Sequence, residues 1–305
     1  MAPKLSVIIT AFQEAATIGQ AIEAFLAQLP EQAELIVVCP DPDTTVVVDS
    51  YAERTTKASS AVRHVADPQR GKPTAVNAGL EAATGEIVVL SDGDVLVDEN
   101  ALEPLLAPFA DHQVGAVSGH PISVNPRDTM MGYWSHLLTD AIHRMRLKRD
   151  RQERFLLCSG YLFAFRRRLI ERVPEDALAE DAVISHRIAQ QRCGSGPCRI
   201  RYAPEADVYV RYPTSYSDWL RQKVRSAGGY AQEYVRESSV RMRSAWLELI
   251  TGARMALAYP RNPREFLWTV FLFAARLHLW LLVLIRVRLL KRPFDRLWTR
   301  VESTK

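Results

Sequence analysis

The chain has 305 residues, 48% hydrophobic and 24% charged, enough for one large or two small domains with a buried core. That composition is ordinary for a globular protein, and no internal repeat or low-complexity tract is present, which excludes repeat and fibrous architectures. The formal charge of +4 conceals an asymmetry: residues 1–120 hold 6 Lys+Arg against 17 Asp+Glu, residues 121–305 hold 33 against 18, and the basic second half calls for an anionic partner such as a membrane surface, nucleic acid or phosphorylated substrate.

The N-terminus has no apolar signal-peptide core and runs directly into a β-branched strand, Leu5–Thr10. Ile18, Ile22, Phe25, Leu26 and Leu29 recur at helical spacing up to Pro30. A buried strand is predicted over Glu34–Cys39, then a turn at Pro40-Asp41-Pro42-Asp43, a helix over Thr44–Arg54 and a strand near Ala61–Ala66. The loop Asp67–Lys72 leads into a helix opened by Pro73. Ile87-Val88-Val89-Leu90, bounded by Gly85 and Gly93, reads as a fully buried strand. This alternation of strand and helix predicts a mostly parallel α/β sheet.

Beyond Asp94 the pattern predicts a helix near 99–109, a strand at Val114–Gly119 and a long helix near 127–150. Residues 155–165 read as a strand broken at Ser159-Gly160, followed by a helix over 180–191 and two short strands near 198–203 and 206–211. From Ser215 onward the pattern is helical.

The four cysteines form no disulfide framework: Cys39 and Cys158 fall in strand-like runs, as buried thiols do. Cys193 and Cys198 flank Gly-Ser-Gly-Pro, which reads as a plain connecting turn because no second half of a metal site accompanies it. A reduced, cytosolic setting is the expectation. Trp246, Leu247, Leu249, Ile250 and Met255 make an amphipathic stretch, and Phe266–Ile285 is apolar except for Thr269, Arg276 and His278. That length can span a bilayer, although Arg276 at its middle costs about 2.5–3.5 kcal/mol on insertion scales. Residues 286–305 hold seven basic and two acidic residues, as a cytoplasmic flank does. An interfacial or re-entrant helix keeps flank and catalytic part on one face. The expected division is a catalytic domain over 1–235 and a membrane-associated helical region over 236–305.

Asp92 and Asp94 stand at the carboxyl end of the buried strand, where open parallel sheets bind ligands. Their oxygens suit Mg²⁺ or Mn²⁺ with phosphates completing the shell; alone, Asp-Gly-Asp also makes a plain turn. Lys72 and Arg225 are candidate cations for phosphate oxygens. Trp219 and Tyr212 suit stacking on sugar or base, or a core. The histidines show no metal-ligand spacing.

In order along the chain, Ser6–Glu14, Val37–Thr44, Arg70-Gly71-Lys72-Pro73 with Asn77 and Gly79, Ser91-Asp92-Gly93-Asp94, Cys158-Ser159-Gly160 and Glu180-Asp181 resemble the motif series of family-2 inverting glycosyltransferases of the nucleotide-sugar-binding GT-A fold. Gln222-Lys223-Val224-Arg225 resembles the Gln-x-x-Arg-Trp motif of that family's polymer-making, cellulose-synthase-like membrane branch, with Ser226 in place of the tryptophan. The resemblance covers roughly residues 5–230. It implies a GT-A catalytic domain with Asp92 and Asp94 as the metal-binding Asp-x-Asp, Glu14, Asp41, Arg70, Lys72, Asp92, Gln222 and Arg225 on the nucleotide sugar, and Asp181 as catalytic base. Ser159, Gly160 and Glu180 fall on the acceptor side. The implied enzyme takes a nucleotide-diphosphate sugar, UDP by analogy with that branch, and a lipid-linked or glycan acceptor at the cytoplasmic face of an anionic membrane, with Mg²⁺ or Mn²⁺. Alternatives of the same sheet type are a catalytically silent nucleotide-sugar-binding scaffold and a sugar nucleotidyltransferase, although Thr10–Glu14 lacks the latter's glycine-rich loop. No motif supports nucleic acid as the partner of the basic half.

Overall fold

A computed structural model describes residues 4–55, 62–230, 232–236 and 245–285. In it β1 (Leu5–Thr10), β2 (Glu34–Cys39), β3 (Val62–Ala66), β4 (Ile87–Asp92), β5 (Leu96–Val97), β6 (Val114–Ser123), β7 (Leu162–Arg166) and β10 (Arg199–Val210) form one sheet. Its order is β3-β2-β1-β4-β7-β6-β10-β5. Strands β3, β2, β1 and β4 pair in parallel, as do β6 and β10. Strand β7 is antiparallel to both neighbours and joins the two parallel blocks. The mostly parallel sheet predicted from the alternation is therefore present.

The aliphatic runs explain the layering. Ile87 and Val89 of β4 enter one core and Val88 and Leu90 the other, because successive side chains alternate across a strand. Helices α1 (Ile18–Leu26) and α3 (Lys72–Ala82) pack over opposite faces, so β1, β2 and β4 are apolar on both sides. Helix α2 (Pro42–Thr55) follows β2. Helix α4 (Leu102–Leu106) is shorter than the sequence predicts and passes into a 3₁₀ turn at Ala107–Ala110, where Pro108 lacks the N–H that an α-helix continues through.

Further differences have local causes. The two strands expected near 198–211 are one strand, β10, whose register against β6 slips between Tyr202 and Asp207, around Pro204. Of the run 155–165 only Leu162–Phe165 is strand, continuing to Arg166; Phe155–Tyr161 is a loop into the sheet's carboxyl-end region. The turn between β8 (Arg192–Cys193) and β9 (Gly196–Pro197) brings Cys193 and Cys198 to a Cα separation of 4.7 Å, and the two are joined in a disulfide. The plain-turn reading is corrected, and the cysteines no longer support a reducing compartment. Cys39 and Cys158 are buried free thiols, as expected.

Helices α5 (Met130–Arg151) and α6 (Glu180–Ala189) pack on β6 and β10, and α7 (Tyr216–Gly229) is followed by α8 (Glu233–Arg236), α9 (Ala245–Ala258) and α10 (Pro263–Val283). Helix α10 is long and apolar enough to cross a membrane by length and composition. It packs on α5 and α7. The basic tail 286–305 and the strand start at Ala61 lie outside the described residues.

Candidate active site

The sheet delivers its polar residues to the carboxyl ends of β1 and β4. Thr10 closes β1 and donates from Oγ1 to Asp92 Oδ1 at 3.3 Å. Helix α3 begins at Lys72, whose Nζ lies 2.6 Å from Asp92 Oδ1 and 2.7 Å from Glu180 Oε1. One cation thus ties the starts of α3 and α6 to the end of β4. Burial alone pulls the Lys72 ammonium down, but Asp92 and Glu180 outweigh it and hold the group protonated. Burial pushes Glu180 up, and Lys72 more than reverses this; Asp92, with Glu180 nearby, stays raised by burial despite Lys72.

Gly93 and Asp94 turn the chain after β4. An added Cβ at Gly93 would stand 2.4 Å from Glu14 Oε2 and 2.8 Å from Ala11 Cβ, so only glycine lets the β1–α1 loop approach. Glu14 Oε2 is enclosed without a hydrogen-bond partner among the described residues. Burial, then the charges of Asp94 and Asp92, push Glu14 up to about 9, and burial with Asp92 pushes Asp94 up to about 6. Asp41 lies at the end of β2, where its carboxylate accepts from Gln13 N at 2.7 Å and Thr44 N at 3.0 Å. These bonds overcome burial and hold it below the usual carboxylate range.

Asp181 occupies the first turn of α6 beside Gly160, where an added Cβ would stand 3.3 Å from Asp181 Oδ2. The loop and helix are stitched together: Cys158 N donates to Ser185 Oγ at 3.0 Å, and that hydroxyl donates to Asp181 O at 2.7 Å. Ser159 is held by Ser118 Oγ, 3.0 Å from its N. Burial, then Glu180, raise Asp181 to about 6, within reach of a general base working near neutral pH.

A cleft of about 280 Å³ opens between these residues and helices α5 and α7. Lys72, Asp92, Ser159, Gly160, Glu180, Asp181, Gln222 and Arg225 line it, so the structure gathers most of the sequence-predicted site. Trp219 and Tyr212 line it too, Trp219 stacked on Tyr216 with ring centroids 5.9 Å apart. Glu14, Asp41 and Asp94 lie outside that cleft lining, with Glu14 and Asp94 mutually coupled by charge. Arg70 is not brought in: its exposed guanidinium pairs with Glu175 at 3.0 Å. Sequence reading missed Arg146, His120 and His143, all in the cleft wall. The two histidine rings lie 4.1 Å apart, His120 bonded to Asp207 and His143 to the Tyr202 hydroxyl. They come from β6 and α5, so no local spacing marks them.

Among the described residues no three His, Cys, Asp or Glu converge as a complete cation cage. Asp92 and Asp94 are the two carboxyls that could hold a divalent ion whose remaining ligands are phosphate oxygens, and the repulsion between them is what such an ion would relieve.

A family model described as glycosyltransferase like family 2 matches residues 3–229. The chain belongs to glycosyltransferase-like family 2. The match runs from β1 through α7, so it takes in every residue of the cleft wall up to Ser226. This glycosyltransferase is 27% identical to a probable glycosyltransferase, YdaM, of Bacillus subtilis, over 74% of the chain and 55% of the relative. It is 22% identical to hyaluronan synthase of Streptococcus pyogenes, over 88% of the chain and 62% of the relative. The chain thus spans less than two thirds of either curated relative. A mannosyltransferase from Pyrobaculum calidifontis, solved with GDP-Man and Mn²⁺, superposes with a TM-score of 0.62 at 25% identity, covering 98% of this glycosyltransferase and 84% of that chain. The GT-A fold is shared.

Proposed function

We propose that this glycosyltransferase moves a sugar, with inversion, from a nucleotide-diphosphate donor to a hydroxyl of a lipid-linked or glycan acceptor at a membrane surface. The observation that carries the reading is Asp181: a carboxyl raised to about 6, beside Gly160, in one cleft with the Lys72–Asp92–Glu180 cluster.

In the proposed step the acceptor oxygen attacks the anomeric carbon and its proton passes to the Asp181 carboxylate. The carbon–oxygen bond to the diphosphate breaks, and its electron pair leaves with the nucleoside diphosphate. A single displacement inverts the anomeric centre without an enzyme nucleophile. Gly160 leaves room beside the Asp181 carboxylate, and the α6 first turn fixes it. Asp94 and Asp92 are the proposed ligands of Mg²⁺ or Mn²⁺, which supplies Lewis-acid neutralisation of the leaving diphosphate. Lys72 and Arg225 contribute positive charge on the same side, and Glu14, Asp41 and Gln222 line the nucleotide-sugar path; Arg70 joins them only by leaving Glu175.

UDP is the donor nucleotide favoured by the Gln222/Arg225 pattern. GDP is the second reading, favoured by the mannosyltransferase solved with GDP-Man. Residues 1–235 are the proposed catalytic domain and 236–305 the membrane-associated region, with α10 lying in the interface of an anionic, cytoplasm-facing membrane. Thr269 and Glu265 of α10 are already engaged by Tyr133 and Arg127, which supports a helix lying on the catalytic body rather than a free span.

Thermal unfolding against UDP and GDP, each with and without Mn²⁺, tests donor and metal together. A ligand at 100 times its dissociation constant adds about 2.7 kcal/mol, so a Mn²⁺-dependent rise with one nucleotide identifies the donor. No rise with either, or a transfer product that keeps the donor's anomeric configuration, overturns the reading.

A further inference from the structure

Arg146 is 8% exposed and lies in the cleft wall on α5. Its guanidinium makes no hydrogen bond and no ion pair among the described residues, and it lies over the Tyr202 ring, 5.9 Å from the centroid. Other partly buried cations here are matched: Lys72 by Asp92 and Glu180, Arg127 by Glu265, Arg201 by Asp150. No Arg146 nitrogen is sealed from solvent, so the guanidinium opens into the cleft with no carboxylate bonded to it among the described residues, which leaves its fork available to an anion. Its charge reaches Asp181, whose carboxyl it pulls downward; the anion's place is therefore on the acceptor side.

Around it, Lys223 of α7 lines the same cleft. Trp219 Nε1 and Gln222 Oε1, also of cleft-wall residues, are enclosed without a hydrogen-bond partner among the described residues. Along α5, Met131, Leu138, Ile142 and Met145 fall on the helix face that lines the cleft, which is the i, i+7, i+11, i+14 spacing of one helical stripe. An anion site thus adjoins an apolar groove.

We propose that Arg146 is the anion-binding residue of the acceptor subsite and that the acceptor carries a phosphate group. The guanidinium fork matches phosphate in a bidentate manner, and a second cation from the facing helix suits a group of charge near −1.5 to −2. The inference rests on the acceptor-side reading of Asp181. The phosphate has two sources, a lipid phosphate whose chain follows the apolar stripe or a soluble phosphorylated sugar.

The test is binding to the full chain in EDTA, read by intrinsic tryptophan fluorescence, with dodecyl phosphate, inorganic phosphate and dodecyl maltoside as probes. Dodecyl phosphate is expected to bind saturably, Arg146→Gln to weaken it about tenfold or more, and Arg146→Lys, which keeps charge without the fork, to fall between. Dodecyl phosphate tighter than inorganic phosphate assigns a lipid source; equal affinities assign a soluble one. Equal binding by wild type and both variants, equal binding of dodecyl maltoside, or no phosphate binding at all overturns the proposal. The readout needs neither donor nor turnover, so it fails independently of the transfer reading. Retention of the Mn²⁺-dependent nucleotide shift in either variant shows that its loss of phosphate binding is local.

Discussion

Lys72 Nζ stands 2.6 Å from Asp92 Oδ1, and this pair joins the first residue of α3 to the last of β4. Glu180 Oε1 completes the cluster from α6 at 2.7 Å. Two carboxylates share one ammonium, so the cluster keeps an excess negative charge before Asp94 and Glu14 are added. Burial first, and that excess second, raise Asp94 and Glu14, and the excess is what a divalent cation held by Asp92 and Asp94 would offset.

Replacing Lys72 with methionine leaves the partly buried Asp92 and the buried Glu180 without their cation. Removing one partner of a buried pair costs about 3–5 kcal/mol, and partial exposure here, 28% for Lys72, points to the lower end. The Lys72 pKa is raised in the fold, so its contribution is fully present below the unfolded lysine value and is lost only as pH climbs beyond it. Urea unfolding should therefore show the deficit of Lys72→Met in full at pH 7–8 and a smaller one near pH 4, where in the variant Glu180, no longer held low by the ammonium, takes up a proton as Asp92 does. A pH-independent deficit would contradict the cluster.

The Asp181 carboxyl titrates near 6, raised by burial and Glu180, and a base acts only when ionised. Transfer measured as kcat/KM should fall about tenfold per unit below pH 6 and level off above it. Asp181→Asn should lower kcat by about 10² or more. The stability effect has the opposite sign. A carboxyl raised from 3.8 to about 6 favours the fold at low pH and disfavours it as pH rises through 6, by about 2–3 kcal/mol. The asparagine variant should thus be more stable than wild type at pH 7 and equal to it near pH 3; a less stable variant at pH 7 would count against a strained base.

Sequence and structure agree where a pattern is local. The aliphatic runs of β1, β2 and β4 specify buried parallel strands, and each leaves its polar end residue, Thr10, Cys39 or Asp92, at the same edge. Lys72, Asp92, Glu180, Asp181, Gln222 and Arg225 were legible as motif members, and the fold gathers them around one cleft. What escaped depends on distant partners. Pro204 splits the hydrophobic alternation of β10, whose continuity is supplied by pairing with β6. Arg146 sits among Arg144, Arg149 and Arg151 on the long helix, and nothing in that local run of arginines distinguishes the one that is buried in the cleft wall. Arg70 shares a loop with Lys72, yet its longer arm turns out to Glu175.

Gly93 is the hinge between the donor-side carboxylates. Gly93→Ala places a methyl 2.4 Å from Glu14 Oε2 and 2.8 Å from Ala11 Cβ, so the β1–α1 loop must move. Overpacking of this kind costs about 1–3 kcal/mol. Because Glu14 and Asp94 flank the glycine, the variant should also lose the Mn²⁺-dependent nucleotide shift while retaining dodecyl phosphate binding. Calorimetric titration of Mn²⁺ with nucleotide checks this, and wild-type binding in a variant of lowered stability would separate packing from the donor site.

Helix α10 has one committed face and one open face. Glu265, Thr269, Leu272, Ala275 and Leu279 are buried, with Glu265 held bidentate by Arg127 at 3.1 Å and Thr269 bonded to Tyr133 at 2.7 Å. Leu277, Trp280 and Leu281 point away, 71%, 47% and 55% exposed. An apolar face of this kind gains by entering a lipid interface, each leucine contributing about 1.5–3 kcal/mol. The double variant Leu277→Glu with Leu281→Glu should therefore lower co-sedimentation with phosphatidylglycerol vesicles by at least about tenfold and leave the melting temperature unchanged. Glu265→Ala should do the reverse, lowering stability through the stranded Arg127 while partition persists. If the leucine variant melts early and partitions as wild type, the open face packs against protein rather than lipid, and the interfacial placement of α10 fails.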